Sequence, residues 1–383
     1  MDKIVVLDFG SQYSHLICRR IREFSVYAEL VPFDISYEEL QKLNPKGIIF
    51  SGGPSSVYNS DAPVPENKIF EMGLPLLGIC YGHQLIVNKF GGKVKRANKE
   101  YGSSLLTIDS DKDLLSDVGE SVRAWMSHGD EAEEIPPGFQ IIGHTEGAKA
   151  AAIASEERSV YGIQFHPEVV HTEQGTEILK NFVLKVCKAK QDWSMEGFID
   201  TAVEKISKIE GNVLCGVSGG IDSTVVALLI HKAIGDRLKC VFVNNGLLRL
   251  NEENEVEDMF KNNFNVNFTS VDASEKFLGK LKGIKDPEKK RMIIGEEFVH
   301  VFTEFAEKSG PFKWLAQGTL YPDVIESGVS KGPAAVIKSH HNVGGLPDWL
   351  NLEILEPVRE LYKDEVREIA KILQVPEKLF MRH

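Results

Sequence analysis

The sequence predicts an α/β protein with two linked domains, each with a mainly parallel sheet flanked by helices. Short β-branched runs alternate with amphipathic stretches from end to end, which is typical of βαβ units with buried strands. A chain of 383 residues is too long for one ordinary core. The polar stretch Lys188–Asp192 separates two such series. We therefore expect one domain at residues 1–190 and a second at residues 191–383.

Apolar runs predict the strands of both sheets. Examples, in chain order, are Lys3–Leu7, Gly47–Phe50, Leu74–Ile79, Val160–Phe165, Asn212–Val217, Lys239–Val243 and Lys313–Gln317. The spacing of apolar residues predicts a helix over Gly175–Val186 that closes the first domain. A second helix is expected from Met195, with Gly211 as its end signal.

Net charge, apolar runs and cysteine spacing argue against several classes of protein. A formal charge of −12 argues against binding to a nucleic-acid polymer. No uncharged apolar run reaches the roughly 18 residues that a membrane span needs, so no membrane partner is expected. The first residues predict a strand rather than a signal peptide. The five cysteines form no CxxC pair, which favours a reducing, cytoplasmic location without a zinc site.

The most informative segment of the first half surrounds a cysteine. Cys80 lies between Gly78 and Gly82, after an apolar strand and before a helical pattern that contains Gln84. Glycines on both sides permit a sharp turn that presents the cysteine, as in a nucleophile elbow. A helix N-terminus also favours a thiolate. A lone cysteine after a strand is most often a buried core thiol, but the glycine frame favours a nucleophile.

Two other strand ends supply partners for a thiolate. His166 and Glu168 follow the strand at Val160–Phe165, where the histidine can act as general acid and base and the glutamate can orient it. The segment Ser51-Gly52-Gly53-Pro54 follows another strand. Its backbone N–H groups, with that of Tyr81, suit an oxyanion hole.

These motifs, in this order, resemble the class I glutamine amidotransferases over roughly residues 1–187. The resemblance implies a nucleophile, a base and its partner at Cys80, His166 and Glu168. It also implies that glutamine is hydrolysed through a glutamyl thioester, which releases ammonia. The remaining glutamine-binding residues that it implies are Gln84, Ser127, His128, Gly129 and Asp130.

A second constellation follows the strand at Asn212–Val217. The loop residues are Ser218, Gly219, Gly220, Ile221, Asp222 and Ser223. Glycines let the backbone approach an anion, and hydroxyl and N–H groups at a helix start bind phosphate oxygens. Asp222 is the candidate ligand for Mg²⁺. A Walker A loop is absent, and Ser-Gly-Gly-x-Asp-Ser resembles the pyrophosphate loop of the N-type ATP pyrophosphatases, which adenylate a substrate oxygen with ATP.

Later segments extend this resemblance to the glutamine-hydrolysing GMP synthetases, which convert XMP, ATP and glutamine into GMP, AMP, pyrophosphate and glutamate. The resemblance implies that the segment Asp286–Gly295 belongs to a mobile lid. It also implies that Asp323, Glu326 and Lys338 lie near the nucleotides. Taken alone, each of these segments could equally be a solvated loop.

Two departures from that family stand out. Asn244 occupies a position where the family usually has aspartate, which removes a negative charge near the expected ATP site. The family also continues with a C-terminal domain that carries its dimer interface and part of the XMP site, so a homodimer is expected only with that domain.

Three alternatives to a complete GMP synthetase remain open at this stage. One is a glutaminase with an inactive synthetase half. The second is a binding module built on a dead amidotransferase, against which the intact cysteine, histidine and glutamate argue. NAD synthetase is the nearest rival enzyme, but its usual amidating domain is of the nitrilase type.

Overall fold

The chain folds into two compact units, each an α/β structure. The computed structural model describes residues 1–324 and 352–377. The units divide between Trp193 and Ser194, a few residues beyond the boundary that the sequence predicts. Each unit has its own sheet, and the two are described separately below.

The first unit contains nine strands. They are β1 (Lys3–Asp8), β2 (Tyr27–Pro32), β3 (Gly47–Phe50), β4 (Leu76–Ile79), β5 (Lys93–Ile108), β6 (Ser121–Glu134), β7 (Gln140–His144), β8 (Ala152–Ser155) and β9 (Val160–Ile163). Its helices are α1 (Ser14–Arg22), α2 (Tyr37–Leu43), α3 (Asn67–Phe70), α4 (Tyr81–Lys89) and α5 (Gly175–Lys180). A π-helical stretch, Asn181–Val186, continues α5.

The sheet of this unit has the order β2-β1-β3-β4-β9-β8-β7-β5-β6. The strands β2, β1, β3, β4 and β9 are parallel. Because β3, β4 and β9 are neighbours, their carboxyl ends lie side by side. This neighbourhood brings the Ser51–Pro54 segment, Cys80 and the His166 segment to one edge of the sheet, where ligands bind in α/β folds.

The remaining four strands, β5 to β8, are antiparallel and extend the parallel part of the sheet. β5 and β6 form a long ribbon in which β6 alternates between exposed and buried positions. Such one-sided strands do not form the continuous apolar runs that predicted β1, β3, β4 and β9. "Mainly parallel" therefore describes the five core strands of this sheet, and the ribbon is an addition that the apolar runs did not reveal.

Within its described residues, the second unit contains five strands in one parallel sheet. They are β10 (Val213–Gly216), β11 (Leu238–Asn244), β12 (Phe268–Asp272), β13 (Trp314–Ala316) and β14 (Glu353–Leu355). The helices are α6 (Met195–Ser207), α7 (Ile221–Ile234), α8 (Glu252–Asp258), α9 (Ser274–Leu281), α10 (Pro287–Ser309), α11 (Tyr321–Val324) and α12 (Lys363–Ile372). α6 ends at Ser207, earlier than the expected stop at Gly211.

The strand order β12-β11-β10-β13-β14 locates the ligand-binding edge of this sheet. The chain proceeds outward from β10 through β11 to β12 and then returns to the other side of β10 as β13. Such a reversal creates a crevice at the carboxyl ends of the strands on either side of it. The loop after β10 and the segment after β13 border this crevice.

No helix in the described part of the chain combines the length and apolarity that a membrane crossing requires. The five cysteines are free and buried. Burial raises the pKa of the Cys18 thiol to about 12 and also raises that of Cys187. Neither thiol therefore ionises readily at neutral pH.

Candidate active sites

Cys80 lies on a strained turn between β4 and α4. Its backbone has φ 52° and ψ −103°, a conformation that non-glycine residues rarely adopt outside functional sites. A Cβ atom on Gly78 would lie 2.4 Å from the backbone of Gly82, and one on Gly82 would lie 2.5 Å from the carbonyl oxygen of Phe50. The two glycines are therefore required by close backbone packing, and this packing holds the cysteine at the carboxyl edge of the sheet.

His166 and Glu168 form a buried pair beside this turn. The His166 Nδ1 atom is 2.7 Å from Glu168 Oε1, and the two residues are only 4% and 1% exposed. Burial lowers the pKa of His166, but the charge of Glu168, its hydrogen bond and the Cys80 sulfur together raise it to about 10. The imidazole is therefore protonated at neutral pH and can serve as a general acid next to Cys80.

Three neighbouring residues from different segments of the chain hold His166 in place. Its backbone N–H donates to the carbonyl of Trp125 at 3.1 Å, and its own carbonyl accepts from Thr172 Oγ1 at 2.6 Å. The Tyr13 ring packs edge-on against the imidazole, with ring centroids 5.6 Å apart. These contacts fix the base before any substrate arrives.

Gly52 lies against both reacting side chains. A Cβ atom at this position would lie 3.0 Å from His166 Cε1 and 3.6 Å from Cys80 Cβ. The segment after β3 therefore approaches the side chains of Cys80 and His166 closely, and its backbone N–H groups remain candidates for the oxyanion hole. The side chain of Tyr81 points elsewhere, since its hydroxyl donates to the carbonyl of Pro63 at 2.9 Å. Of the two donors of Tyr81, the backbone N–H is therefore the one that remains a candidate for the oxyanion hole.

A cavity of about 890 Å³ opens above the sulfur. Its lining includes predicted site residues, among them Cys80, Tyr81, Gln84, Ser127, His128, Gly129, Asp130 and His166. Gln84 Nε2 donates to the carbonyl of Asp130 at 3.0 Å and lies 3.4 Å from Gln164 Oε1. This nitrogen therefore holds β6 against α4.

Sequence reasoning missed one buried residue that contacts Cys80 and two groups that line the cavity. Gln164 Nε2 donates to Cys80 Sγ at 3.7 Å, and the only signal for it is its place two residues before His166. Arg96 lines the cavity and pairs in register with Asp130 across the β5–β6 ribbon. Ser56 and Tyr58 donate to the Asp130 carboxylate. None of these contacts follows from a local motif.

The second constellation lies between β10 and α7. Gly219 has φ +73°, a left-handed conformation that glycine adopts without strain. Ser223 Oγ accepts from the N–H of Ser218 at 3.2 Å and lies 3.2 Å from the carbonyl of Gly220. The loop is thus closed on itself, with the start of α7 at Ile221 directed toward any anion that it binds.

Asp222 forms an ion pair with a lysine that the sequence analysis did not single out. Lys363 Nζ, at the start of α12, lies 2.5 and 2.6 Å from the two carboxylate oxygens of Asp222. α12 packs against α7, which brings these residues together across 141 positions. A Cβ atom on Gly318 would lie 3.4 Å from that of Asp222, so the segment after β13 also borders this site.

The other predicted nucleotide-site residues are partly described. Asp323 Oδ2 accepts from the N–H of Leu320 at 3.0 Å and caps the turn after β13. Glu326 and Lys338 lie outside the described residues. The segment Asp286–Gly295 begins α10, where the Asp286 side chain caps the helix by accepting from Lys289 N at 2.8 Å.

Asn244 ends β11 beside the same edge of the sheet. Its Nδ2 donates to Glu253 Oε2 at 2.6 Å, and its Oδ1 accepts from the N–H of Gly246 at 2.9 Å. Glu253 Oε1 accepts in addition from Ser270 Oγ at 2.6 Å. A carboxylate thus lies next to the position at which the sequence lacks one.

Comparisons with known protein families give one match in each half of the chain. The sequence profile of the class I glutamine amidotransferases matches residues 5–186, and that of NAD synthase matches residues 193–292. One solved structure, of a putative GMP synthase component from Thermoplasma acidophilum, is 31% identical, with a TM-score of 0.45; the alignment covers 49% of this chain and 94% of that one.

Two curated relatives match along the chain. A glutamine-hydrolyzing GMP synthase of Brachyspira hyodysenteriae is 52% identical over all of this chain and 75% of its own length. One of Caldicellulosiruptor saccharolyticus is 54% identical over 99% of this chain and 75% of its own. The NAD synthase profile covers only part of the second unit, whereas these relatives span both, so the chain belongs to the family of glutamine-hydrolyzing GMP synthases.

Proposed function

We propose that the protein is a ligase that makes GMP from XMP, ATP and glutamine, with AMP, pyrophosphate and glutamate as the other products. The observation that carries this proposal is the Cys80, His166 and Glu168 arrangement in one unit and a phosphate loop in the other, within a chain that resembles GMP synthases throughout. We also propose a cytoplasmic location, because all five cysteines are free.

In the first half-reaction the sulfur of Cys80 attacks the carboxamide carbon of glutamine. The developing oxyanion is stabilised by backbone N–H groups of the Gly52 segment and of Tyr81. The His166 imidazolium donates its proton to the leaving ammonia, which leaves a glutamyl thioester. Water then attacks the thioester while His166 takes its proton, and glutamate leaves.

The α-amino and α-carboxylate groups of glutamine need complementary charges in the lining of the cavity, which includes Asp130 and Arg96. Asp130 supplies a carboxylate for the ammonium group. Arg96 supplies a guanidinium for the carboxylate. Arg96 and Asp130 are opposite each other across the β5–β6 ribbon. The two opposite charges of zwitterionic glutamine therefore each have a partner of the opposite sign on this ribbon. We also expect Ser127 and Gly129 to contact glutamine.

In the second half-reaction an oxygen of XMP attacks the α-phosphate of ATP, and pyrophosphate leaves. Ammonia then displaces AMP from the adenylated XMP. Ser218, Gly219, Gly220 and Ser223 bind phosphate oxygens through N–H and hydroxyl groups. Lys363 supplies positive charge where negative charge develops. Asp323, Glu326 and Lys338 remain proposals from the resemblance.

Magnesium is proposed to enter this site with ATP. No group of three or more His, Cys, Asp or Glu residues that could hold a metal occurs within residues 1–324 and 352–377. Mg²⁺ usually takes one or two carboxylates together with substrate phosphates, so the single carboxylate of Asp222 fits it. When bound there, the ion would neutralise charge on the phosphates.

The test is an assay of XMP-dependent AMP formation with ammonia and, separately, with glutamine. Cys80→Ala should abolish the glutamine-dependent reaction and leave the ammonia-dependent one unchanged, since a nucleophile contributes only to the step that it performs. The ammonia reaction also shows that the variant is folded. Glutaminase activity without XMP-dependent AMP formation, with either nitrogen source, would instead favour the glutaminase-only alternative.

A further inference from the structure

The segment that follows β3 returns to the cavity and contacts Asp130. Ser56 Oγ donates to Asp130 Oδ2 at 2.5 Å, and Tyr58 OH donates to Oδ1 at 2.7 Å. Each carboxylate oxygen therefore has one hydroxyl donor. The two donors come from a segment more than 70 positions away in sequence, which makes this a tertiary tie between β6 and the segment that carries Gly52.

The backbone of Asp130 is held independently of these hydroxyls. Its carbonyl accepts from Gln84 Nε2 at 3.0 Å and lies 3.0 Å from His128 Nδ1. The freedom that remains is rotation of the carboxylate about its side-chain bonds. A carboxylate has about four acceptor positions, so two hydroxyl donors fix its rotation and leave the other positions for a ligand.

We propose that Ser56 and Tyr58 are positioning residues that orient the Asp130 carboxylate toward the α-ammonium group of glutamine. This inference rests on the proposed function. Their hydroxyls do not touch the reacting atoms. They set the preference of the cavity for amides that carry a free α-ammonium group over amides that lack one.

The position of Tyr58 separates this role from simple packing. Its side chain is 52% exposed, so removal of the hydroxyl leaves the apolar core unchanged. The same segment carries Gly52, which lies against Cys80 and His166. A disturbed segment would impair the oxyanion hole and slow every amide substrate. A misdirected carboxylate would impair only substrates with an ammonium group.

The test compares two amides in the glutaminase reaction: L-glutamine and 4-carbamoylbutanoate, which is glutamine without its amino group. Tyr58→Phe should lower kcat/KM for glutamine about tenfold, the effect of one hydrogen bond to a charged group, mainly by raising KM. The value for 4-carbamoylbutanoate should stay unchanged. Ser56→Ala should act in the same way through the other oxygen, and the double variant should lose more than either single one.

Ser60→Ala is the matched control, because Ser60 is an exposed serine of the same segment outside the cavity. It should leave both substrates unaffected. A second measurement uses the competitive inhibitors L-glutamate and glutarate. Tyr58→Phe should raise the inhibition constant of L-glutamate and leave that of glutarate unchanged.

Equal losses for both amides, or unchanged kinetics with glutamine, would overturn the positioning role. So would a wild-type protein that binds glutarate as tightly as L-glutamate. Ammonia-dependent AMP formation should be unaffected in every variant. A wild-type protein without any glutaminase activity would instead overturn the proposed function, and this inference with it.

Discussion

The two candidate sites differ in how far their charges are fixed by the protein. In the first unit, Cys80, His166 and Glu168 are almost fully buried, and His166 is held by ring, side-chain and backbone contacts. In the second unit, the side chains of Asp222 and Lys363 remain 31% and 42% exposed and pair with each other. One site has its charges oriented in advance, whereas the other has charges that a ligand can rearrange.

The chemistry of each half-reaction explains this difference. A neutral carboxamide brings no charge that could organise the catalytic groups, so the protein must place them itself. ATP brings several negative charges and a metal ion. A partly exposed ion pair is worth only about 0–1 kcal/mol, so phosphate and Mg²⁺ can separate Asp222 from Lys363 at little cost. The comparison predicts large functional and small stability effects in the second unit.

The largest effect is expected from Asp222→Asn. Loss of this carboxylate should lower ammonia-dependent AMP formation roughly 100-fold, because Mg²⁺ and Lys363 both lose their partner. The melting temperature and the glutaminase activity should change little. Glu368→Gln, at an exposed position of α12, controls for a general loss of negative charge. If the Asp222→Asn protein forms AMP at the normal rate, Asp222 is not part of the ATP site.

Glu168→Gln tests the site of the first unit, in which the protein holds the charged groups in place. Burial lowers the pKa of His166, and the Glu168 charge is the first of the contacts that raise it to about 10. With glutamine at 168, burial should dominate and the pKa should fall, so the imidazolium is lost at neutral pH. Glutaminase activity should then fall roughly tenfold or more, and the rate at which iodoacetamide alkylates Cys80 at pH 7 should fall with it.

The same pKa makes a prediction about stability. A histidine whose folded-state pKa is raised stabilises the protein fully below its unfolded value of about 6.5. This contribution is lost as the pH rises toward about 10. The unfolding free energy of the wild-type first unit should therefore decrease over this pH range more than that of Glu168→Gln. Parallel curves would show that Glu168 does not set the His166 charge.

The sequence predicted the elements that carry a local signal. The glycines around Cys80, the strand before each motif and the phosphate loop all lie within short segments, and the structure has strands at those positions. Glycine spacing reports close backbone contact directly, as at Gly78 and Gly82. The apolar runs predicted seven of the parallel strands, but not β2, β12 or β14.

What the sequence did not reveal depends on contacts between distant segments. Lys363 meets Asp222 across 141 positions, and Tyr58 meets Asp130 across 72. Neither Lys363 nor Tyr58 belongs to a local sequence pattern that would have identified it. The β5–β6 ribbon was missed because its alternating strands contain no continuous apolar run. Strand order is a property of the whole sheet, so the residues that it brings together become visible only in the structure.

The smallest effect, and the sharpest test of the second site, comes from Asn244. Its amide donates to Glu253 Oε2 at 2.6 Å, a contact that two carboxylates would turn into repulsion. Asn244→Asp should therefore raise KM for ATP a few-fold and cost about 1 kcal/mol of stability. In Asn244→Asp/Glu253→Gln the charge and the amide exchange places, so both effects should be reversed. ATP kinetics and thermal unfolding of the two single variants and the double variant measure this coupling. If the double variant is as impaired as Asn244→Asp alone, the pair is not what fixes the end of β11. The charges of the second site that a ligand can rearrange would then be confined to the partly exposed pair of Asp222 and Lys363.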